Sequence, residues 1–192
     1  MSDLQTVAPT TTPITLAEAK EHLNVSTTAD DALIGRLVEA ATTLLENENN
    51  RAFINQTRAL KIDDFQDGLY THDRRIRPPF SPVSSITSII YTASDGTSTT
   101  MPSTDYTLSK GQPGSISEAY NATWPDVRQQ ADAITITYVA GHGSTQANVP
   151  EGIRHAVSVM VADMYRNREG PTPEARMAAD AFMARESVPD YG

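Results

Sequence analysis

The order of segments predicts an α+β protein: a helical body of three to four helices, with an antiparallel β region inserted between the second and third long helices. Three observations carry that expectation. Apolar residues recur at three- and four-residue spacing from Leu33 to Leu45 and again from Ile153 to Tyr165, so each stretch is an amphipathic helix that needs an apolar partner. A long Thr/Ser-rich stretch with β-branched runs separates them. The second stripe is closed by Asn167-Arg168-Glu169-Gly170-Pro171, where Gly and Pro stop a helix.

Residues 1–13 are rich in Thr and Pro and read as a flexible N-terminal arm. Residues 14–55 form the first part of the helical body. Thr15-Leu16-Ala17-Glu18 has the spacing of a capping box, in which the Thr and Glu side chains satisfy free amides of the first turn. Leu16, Ala19 and Leu23 then line one face of a short helix that ends near Asn24. A second cap is expected at Thr28-Ala29-Asp30-Asp31, with acids placed to suit the helix dipole. The helix it opens carries Leu33, Ile34, Leu37, Val38, Ala41, Leu44 and Leu45 on one side, Arg36, Glu39 and Glu46 on the other, and reaches Asn49.

Residues 56–147 are the inserted β region. Thr57 to Ile62 reads as a strand, Asp63 to Thr71 as a loop, and Arg75-Ile76-Arg77 as a short strand closed by Pro78-Pro79. Val83 to Thr92 is the strongest strand signal, and Ala93-Ser94-Asp95-Gly96 after it is a hairpin turn, because Gly tolerates positive φ. Shorter strands are expected at Tyr106-Thr107-Leu108 and Ser115-Ile116-Ser117. Ala133 to Ala140 alternates, with Ile134, Ile136 and Tyr138 on one face, and Gly141-His142-Gly143 stops it.

Residues 148–170 form the closing helix, opened at Asn148-Val149-Pro150. Residues 171–192 are a separate C-terminal segment. Glu174 to Glu186 is helical in composition, but its apolar face is thin, with Ala178, Ala181 and Phe182 dominant. Such a helix gains little by folding alone and has to pack onto something else.

Composition narrows the functional classes. The chain has 192 residues and no Cys, which excludes disulfides, thiolate zinc sites and Cys nucleophiles. A formal charge of −9 argues against tight grip on nucleic acid through its phosphates, while leaving room for a surface that DNA slides past. No apolar run is long enough to span a bilayer, and Met1-Ser2-Asp3-Leu4-Gln5-Thr6 carries no secretory pattern, so a protein made in the cytoplasm is expected.

Candidate chemistry is sparse. Asp63, Asp64, Asp67 and Asp73 are the densest carboxylates, but Phe65 stands where a calcium loop needs an oxygen, and a solvated loop fits better. His22, His72, His142 and His155 are scattered, in no metal-ligand spacing. Gly141-His142-Gly143-Ser144 lacks the Lys and later glycines of a phosphate loop, and no G-x-S-x-G elbow is present. Trp124-Pro125 reads as the anchor of a β-layer edge, with an exposed ligand platform as the other reading. Arg74, Arg75 and Arg77 are the one concentrated basic group. It is a candidate charged interface, facing phosphates or an acidic partner, or else an edge strand guarded by charge. Nothing in the sequence points to an enzyme, a cofactor or a metal.

Several segments share the wording of one family. Ile14-Thr15-Leu16-Ala17-Glu18-Ala19-Lys20 and Asp30-Asp31-Ala32-Leu33-Ile34 resemble the opening helices of the head–tail connector, or adaptor, proteins of tailed bacteriophages. Arg77-Pro78-Pro79-Phe80-Ser81-Pro82-Val83-Ser84-Ser85-Ile86 resembles the proline-rich entry to that family's β insertion. Tyr91 to Gly96 and Asp105-Tyr106-Thr107-Leu108 are similar to its hairpin and a later strand. The run from Ile134 to Gly143, then Val149-Pro150 and Tyr165-Arg166-Asn167-Arg168-Glu169, is similar to its last strand, loop and closing helix. The resemblance covers residues 13 to 170.

The resemblance implies a structural virion component that forms a ring, usually matching the portal's twelve-fold symmetry. The ring joins the portal of the head to the next tail-completion, or stopper, protein and continues the DNA channel without sequence-specific binding or membrane contact. It implies a place at the head–tail junction, reached from the host cytoplasm. Met177, Phe182, Met183 and Val188 are then candidate portal-contacting anchors on a tail expected to be mobile or loosely docked in the free protein. The competing reading is a receptor- or carbohydrate-binding tail module built on the β region.

Overall fold

Alternation of buried and exposed positions generates the strands. The computed structural model describes residues 1–65, 75–110 and 112–185. The described strands are β1 (Ser2–Val7), β2 (Gln56–Ile62), β3 (Val83–Thr92), β4 (Ser98–Thr100), β5 (Tyr106–Ser109), β6 (Ser115–Glu118) and β7 (Ile134–Ala140). The described α-helices are α1 (Leu16–Leu23), α2 (Asp31–Asn49), α3 (Glu151–Arg166) and α4 (Pro173–Arg185). Two compact units result: a β unit of Met1–Ala8 with Asn55–Gly141, and a helical unit of Pro9–Ile54 with the residues from His142 onward.

In the β unit a five-stranded sheet runs in the order β1-β2-β7-β3-β4, and every neighbouring pair is antiparallel. Register brings Leu60, Ile136 and Ile89 side by side across β2, β7 and β3, all fully buried. Two register shifts in β3 absorb its extra length against β7. The turn between β3 and β4 uses Gly96 at φ 92, and Asp95 Oδ1 accepts the Thr97 amide at 2.8 Å, as the Asp-Gly pair predicts. β5 and β6 make a separate hairpin.

Two expectations for this unit change. Ser2–Val7, expected within a flexible arm, is edge strand β1, paired with β2 from Ser2↔Lys61 to Val7↔Thr57. The Thr/Pro signal belongs to the residues after it; Asp3 to Val7 contains no Pro and keeps all its amides available for a ladder. Arg75-Ile76-Arg77, expected as a strand, is one bridge, with Ile76 and Ile116 exchanging amide hydrogen bonds of 2.8 Å. Pro78 and Pro79 remove the donors that a longer ladder needs.

In the helical unit the capping box forms as read. The Thr15 amide donates to Glu18 Oε2 at 2.7 Å and the Glu18 amide to Thr15 Oγ1 at 3.1 Å. α1 and α2 each end on an Asn in the left-handed conformation, Asn24 at φ 55 and Asn50 at φ 50. The expected Thr28 cap does not form. Asp30 stands at the N-cap of α2, and its carboxylate accepts the Tyr165 hydroxyl at 2.6 Å instead of a helix amide. The core joins Ile34, Val38, Ala41 and Leu45 of α2 to Ile153, Val157, Met160 and Val161 of α3, with Phe53 and Ile54 beneath.

The thin last helix finds its partner within this unit. α4 packs on α3 through Ala175, Ala179 and Met183, at four-residue spacing, with Phe182 against His155 of α3; of the expected face, Ala178 is half-buried and Ala181 is exposed. Small residues let the two backbones approach, and Met183 then fills the remaining depth of the core. Asp163 ties the connection down by accepting the Thr172 amide at 2.7 Å. The described part of a segment expected to be loose is therefore a packed helix.

Candidate interaction surfaces

A carboxylate, a guanidinium and a phenol fasten the N-terminal strand. Arg58 Nε donates to Asp3 Oδ2 at 2.6 Å, Tyr138 donates its hydroxyl proton to Asp3 Oδ1 at 2.8 Å, and the Arg58 guanidinium lies 3.4 Å from the Phe80 ring centre. Gln5 Nε2 donates to Gln56 Oε1 alongside. Both partners of the ion pair are under 10% exposed. Burial, with the Asp3 carboxylate beside it, pushes the Tyr138 hydroxyl well above the ordinary phenol range, so it stays a donor. The sequence reading missed this cluster because its members are far apart along the chain. The one available signal was an Arg at an inward-facing strand position, which demands a partner.

Of the Arg74, Arg75 and Arg77 group, Arg74 lies outside the described residues. Arg75 is exposed and Arg77 half-buried, flanking the Ile76 bridge, and both are already engaged in interactions. Asp63 accepts the Asp132 amide at 2.8 Å, an ordinary turn contact; Asp67, Asp73 and His72 lie outside the described residues. Among the described residues no cluster of three or more ligating side chains has metal geometry, and no helix is long and apolar enough to cross a membrane. Trp124 stacks on buried Phe65, ring centres 4.6 Å apart and planes within 5°, so the indole is an anchor of the β layer with one face covered. Tyr120, 95% exposed on the turn before it, stands alone and does not complete a flat aromatic platform with Trp124.

The helical unit carries two grooves. A polar one of about 320 Å³ lies between α1 and α3, lined by Glu18, Glu21, His22, Glu151, Arg154 and His155 among others. Arg154 bridges Glu18 and Glu151, and the backbone bond from Thr15, with Arg154 nearby, holds the Glu18 carboxyl below its ordinary range. His22 and His155 meet edge to face at 5.9 Å, and His155 in turn meets Phe182 at 4.6 Å. His142 sits apart from them. Burial, and then the nearby Arg51, pushes it down to about 4, so it is neutral at pH 7. The second groove, about 220 Å³, is apolar at its floor, with Leu33, Leu37, Met164 and Tyr165, and has Asn167, Arg168 and Gly170 at its edge.

The expected portal anchors separate into three environments. Met183 is 2% exposed in the core, Phe182 is half-buried against it, and Met177 is 73% exposed on the outer face of α4. Val188 lies outside the described residues. The three described ones do not share one face: α4 packs with a period of four, which turns Met183 inward and Met177 outward.

Among the described residues the structure thus combines a sheet pinned at its edge strand with a helical unit that carries an exposed Met177 and the two grooves described above. Residues 13–107 match the family model of phage gp6-like head–tail connector proteins. The fold is also that of a chain in the neck of an empty gene transfer agent particle, computed with C6 symmetry. That match has a TM-score of 0.78 and 22% identity, covering 100% of this chain and 98% of the other. A chain in the virion of a native gene transfer agent particle matches with the same values. One in the native neck, computed with C12 symmetry, gives a TM-score of 0.76 at 22% identity over the same shares. A search of curated proteins finds no match.

Proposed function

We propose that this chain is a component of the neck of a phage virion or a related gene transfer particle. Copies of it form a ring at the head–tail junction, twelve in number, joining the portal to the stopper protein and continuing the DNA channel. The observation that carries this reading is the agreement of two independent likenesses: the connector family model over residues 13–107 and the full-length fold match to neck chains, one of them in a C12 arrangement. The charge of −9 suits a conduit, since an acidic lining repels the phosphate backbone and lets DNA pass without sticking.

The C-terminal segment 171–192 is the portal-facing end of the chain. Phe182 and Met183 hold α4 on the body, so the portal contact falls to residues after α4, Val188 among them. The exposed Arg75, with Arg77 beside it, offers a charged contact to a neighbouring protein. Before the particle assembles, the chain stands in the host cytoplasm as a monomer or a weakly associating species.

Electron microscopy of the purified chain mixed with the portal of its particle tests this. Twelve-fold density seated on the portal is the expected result. A chain that ignores the portal and binds glycans as a monomer overturns it in favour of a receptor-binding module.

A further inference from the structure

The outer face of α4 and the apolar groove between α2 and α3 are complementary, and both lie in the helical unit. On α4, Met177 is 73% exposed, and Glu174 and Asp180, three residues before and after it, flank it on either side of the helix. Both carboxylates are exposed, and neither is ion-paired among the described residues. The groove has the opposite character. Leu33, Leu37 and Met164 floor it, Arg168 stands at its edge, and Arg36 is exposed on the same stretch of α2. Neither arginine is ion-paired among the described residues, although Glu169 beside Arg168 is also exposed.

A single exposed Met is ordinary, and so is a shallow apolar groove. What distinguishes this pair is the match of an apolar knob between two carboxylates with an apolar slot that has the Arg168 guanidinium at its edge. We propose that the outer face of α4 of one copy docks into the α2–α3 groove of a second copy, with Met177 in the slot and the Glu174 and Asp180 carboxylates drawn to Arg168 at its edge. Met177 stands exposed on the same unit that carries the groove, so it does not fill the slot of its own chain. Knob and slot are different patches, so the contact is heterologous and repeats from copy to copy, closing into a ring when the rotation allows. An unbranched thioether adapts to such a slot, and the charges set its register. This contact rests on the ring reading and specifies what holds neighbouring copies together.

The absence of natural cysteines makes the test direct. Full-length Met177→Cys and Leu33→Cys proteins are mixed at high concentration under mild oxidation, with each variant alone as a control. Arg168→Cys is a second groove partner, at an exposed site, should Leu33→Cys lower the melting temperature. The expected result is a disulfide-linked mixed dimer forming at least tenfold faster than either homodimer, with the rate falling about tenfold when Glu174 and Asp180 are replaced by Lys. Rings in micrographs of the wild-type protein, with no mixed disulfide from either groove partner, overturn the contact and leave the ring standing. A portal-linked Met177→Cys in assembled necks, with no mixed dimer, overturns it in favour of a portal-facing α4. Fast Met177→Cys homodimers overturn it in favour of a two-fold contact.

Discussion

Asp3 accepts hydrogen bonds from two different strands of the sheet, Arg58 on β2 and Tyr138 on β7, and so a residue near the start of the chain closes a buried polar cluster. Removing one partner leaves the other charge buried, which costs more than the pair itself contributes. Asp3→Asn is therefore expected to lower stability by about 3 kcal/mol. In urea denaturation the Asp3→Asn/Arg58→Leu double variant recovers most of that loss; a double variant as unstable as the single one shows that the cluster is not a unit. His142 gives a second test. Its folded value of about 4 lies below the ordinary 6.5, so the unfolded chain takes up the proton first as pH falls. Stability is full above pH 6.5 and is lost as pH drops toward 4, by about 1–2 kcal/mol after allowing for the partial exposure of the ring. Thermal melts at pH 7 and pH 5 should differ in the wild type and converge in His142→Gln. The carboxylates of Glu18 and Asp95 are held below their ordinary values, chiefly by backbone hydrogen bonds from Thr15 and Thr97.

The helices differ in how firmly the core holds them. Met160 on α3 is fully buried, whereas Leu37 on α2 is only partly buried and faces the apolar groove. Met160→Ala is expected to cost about 2–5 kcal/mol. Leu37→Ala loses less, about 1 kcal/mol, because its site is already open to solvent. Equal losses in calorimetry would place the groove inside the core. α4 depends on close approach, since its buried face is Ala175, Ala179 and Met183. Ala179→Leu forces α4 away from α3 at a cost of about 1–3 kcal/mol, read as faster hydrogen exchange in α4 with α2 unchanged. An α4 that exchanges no faster in that variant has no tight seam with α3. β1 owes its place to pairing as much as to composition: its outward residues, Leu4 and Val7, are each 57% exposed.

On the proposed ring function, weak association of the free chain would be an advantage, since copies that closed early would be unavailable to a filled head. Light scattering is expected to show monomer at sub-micromolar concentration, with larger species on concentration or on addition of portal. Stable rings without partner at that dilution contradict this. On the proposed ring function, multivalency would make such weak contacts sufficient, because several copies would engage one portal at once. Deleting residues 186–192 leaves α4 and its seam intact, so the truncated protein is expected to melt as the full chain does and to lose joining of tails to heads. Undiminished joining removes this segment from the portal contact.

Local chemistry was enough to place most elements in advance. The Thr15–Glu18 box, the stripes of α2 and α3, the β3 hairpin at Asp95-Gly96 and the alternation of β7 are each written within one turn or one strand of chain, where spacing alone decides the outcome. The connector resemblance was legible for the same reason: it resides in short runs and their order. What stayed hidden depends on partners distant in sequence. Ser2–Val7 becomes a strand because β2 offers an edge and Arg58 and Tyr138 wait for a carboxylate; nothing in residues 1–13 announces either. α4 turns Met183 inward and Met177 outward because the surface of α3 fits Ala175 and Ala179, and a weakly amphipathic helix has no phase of its own to impose. The slot, open among the described residues, arises the same way, from side chains of α2 and α3 that packing brings together and burial leaves unfinished.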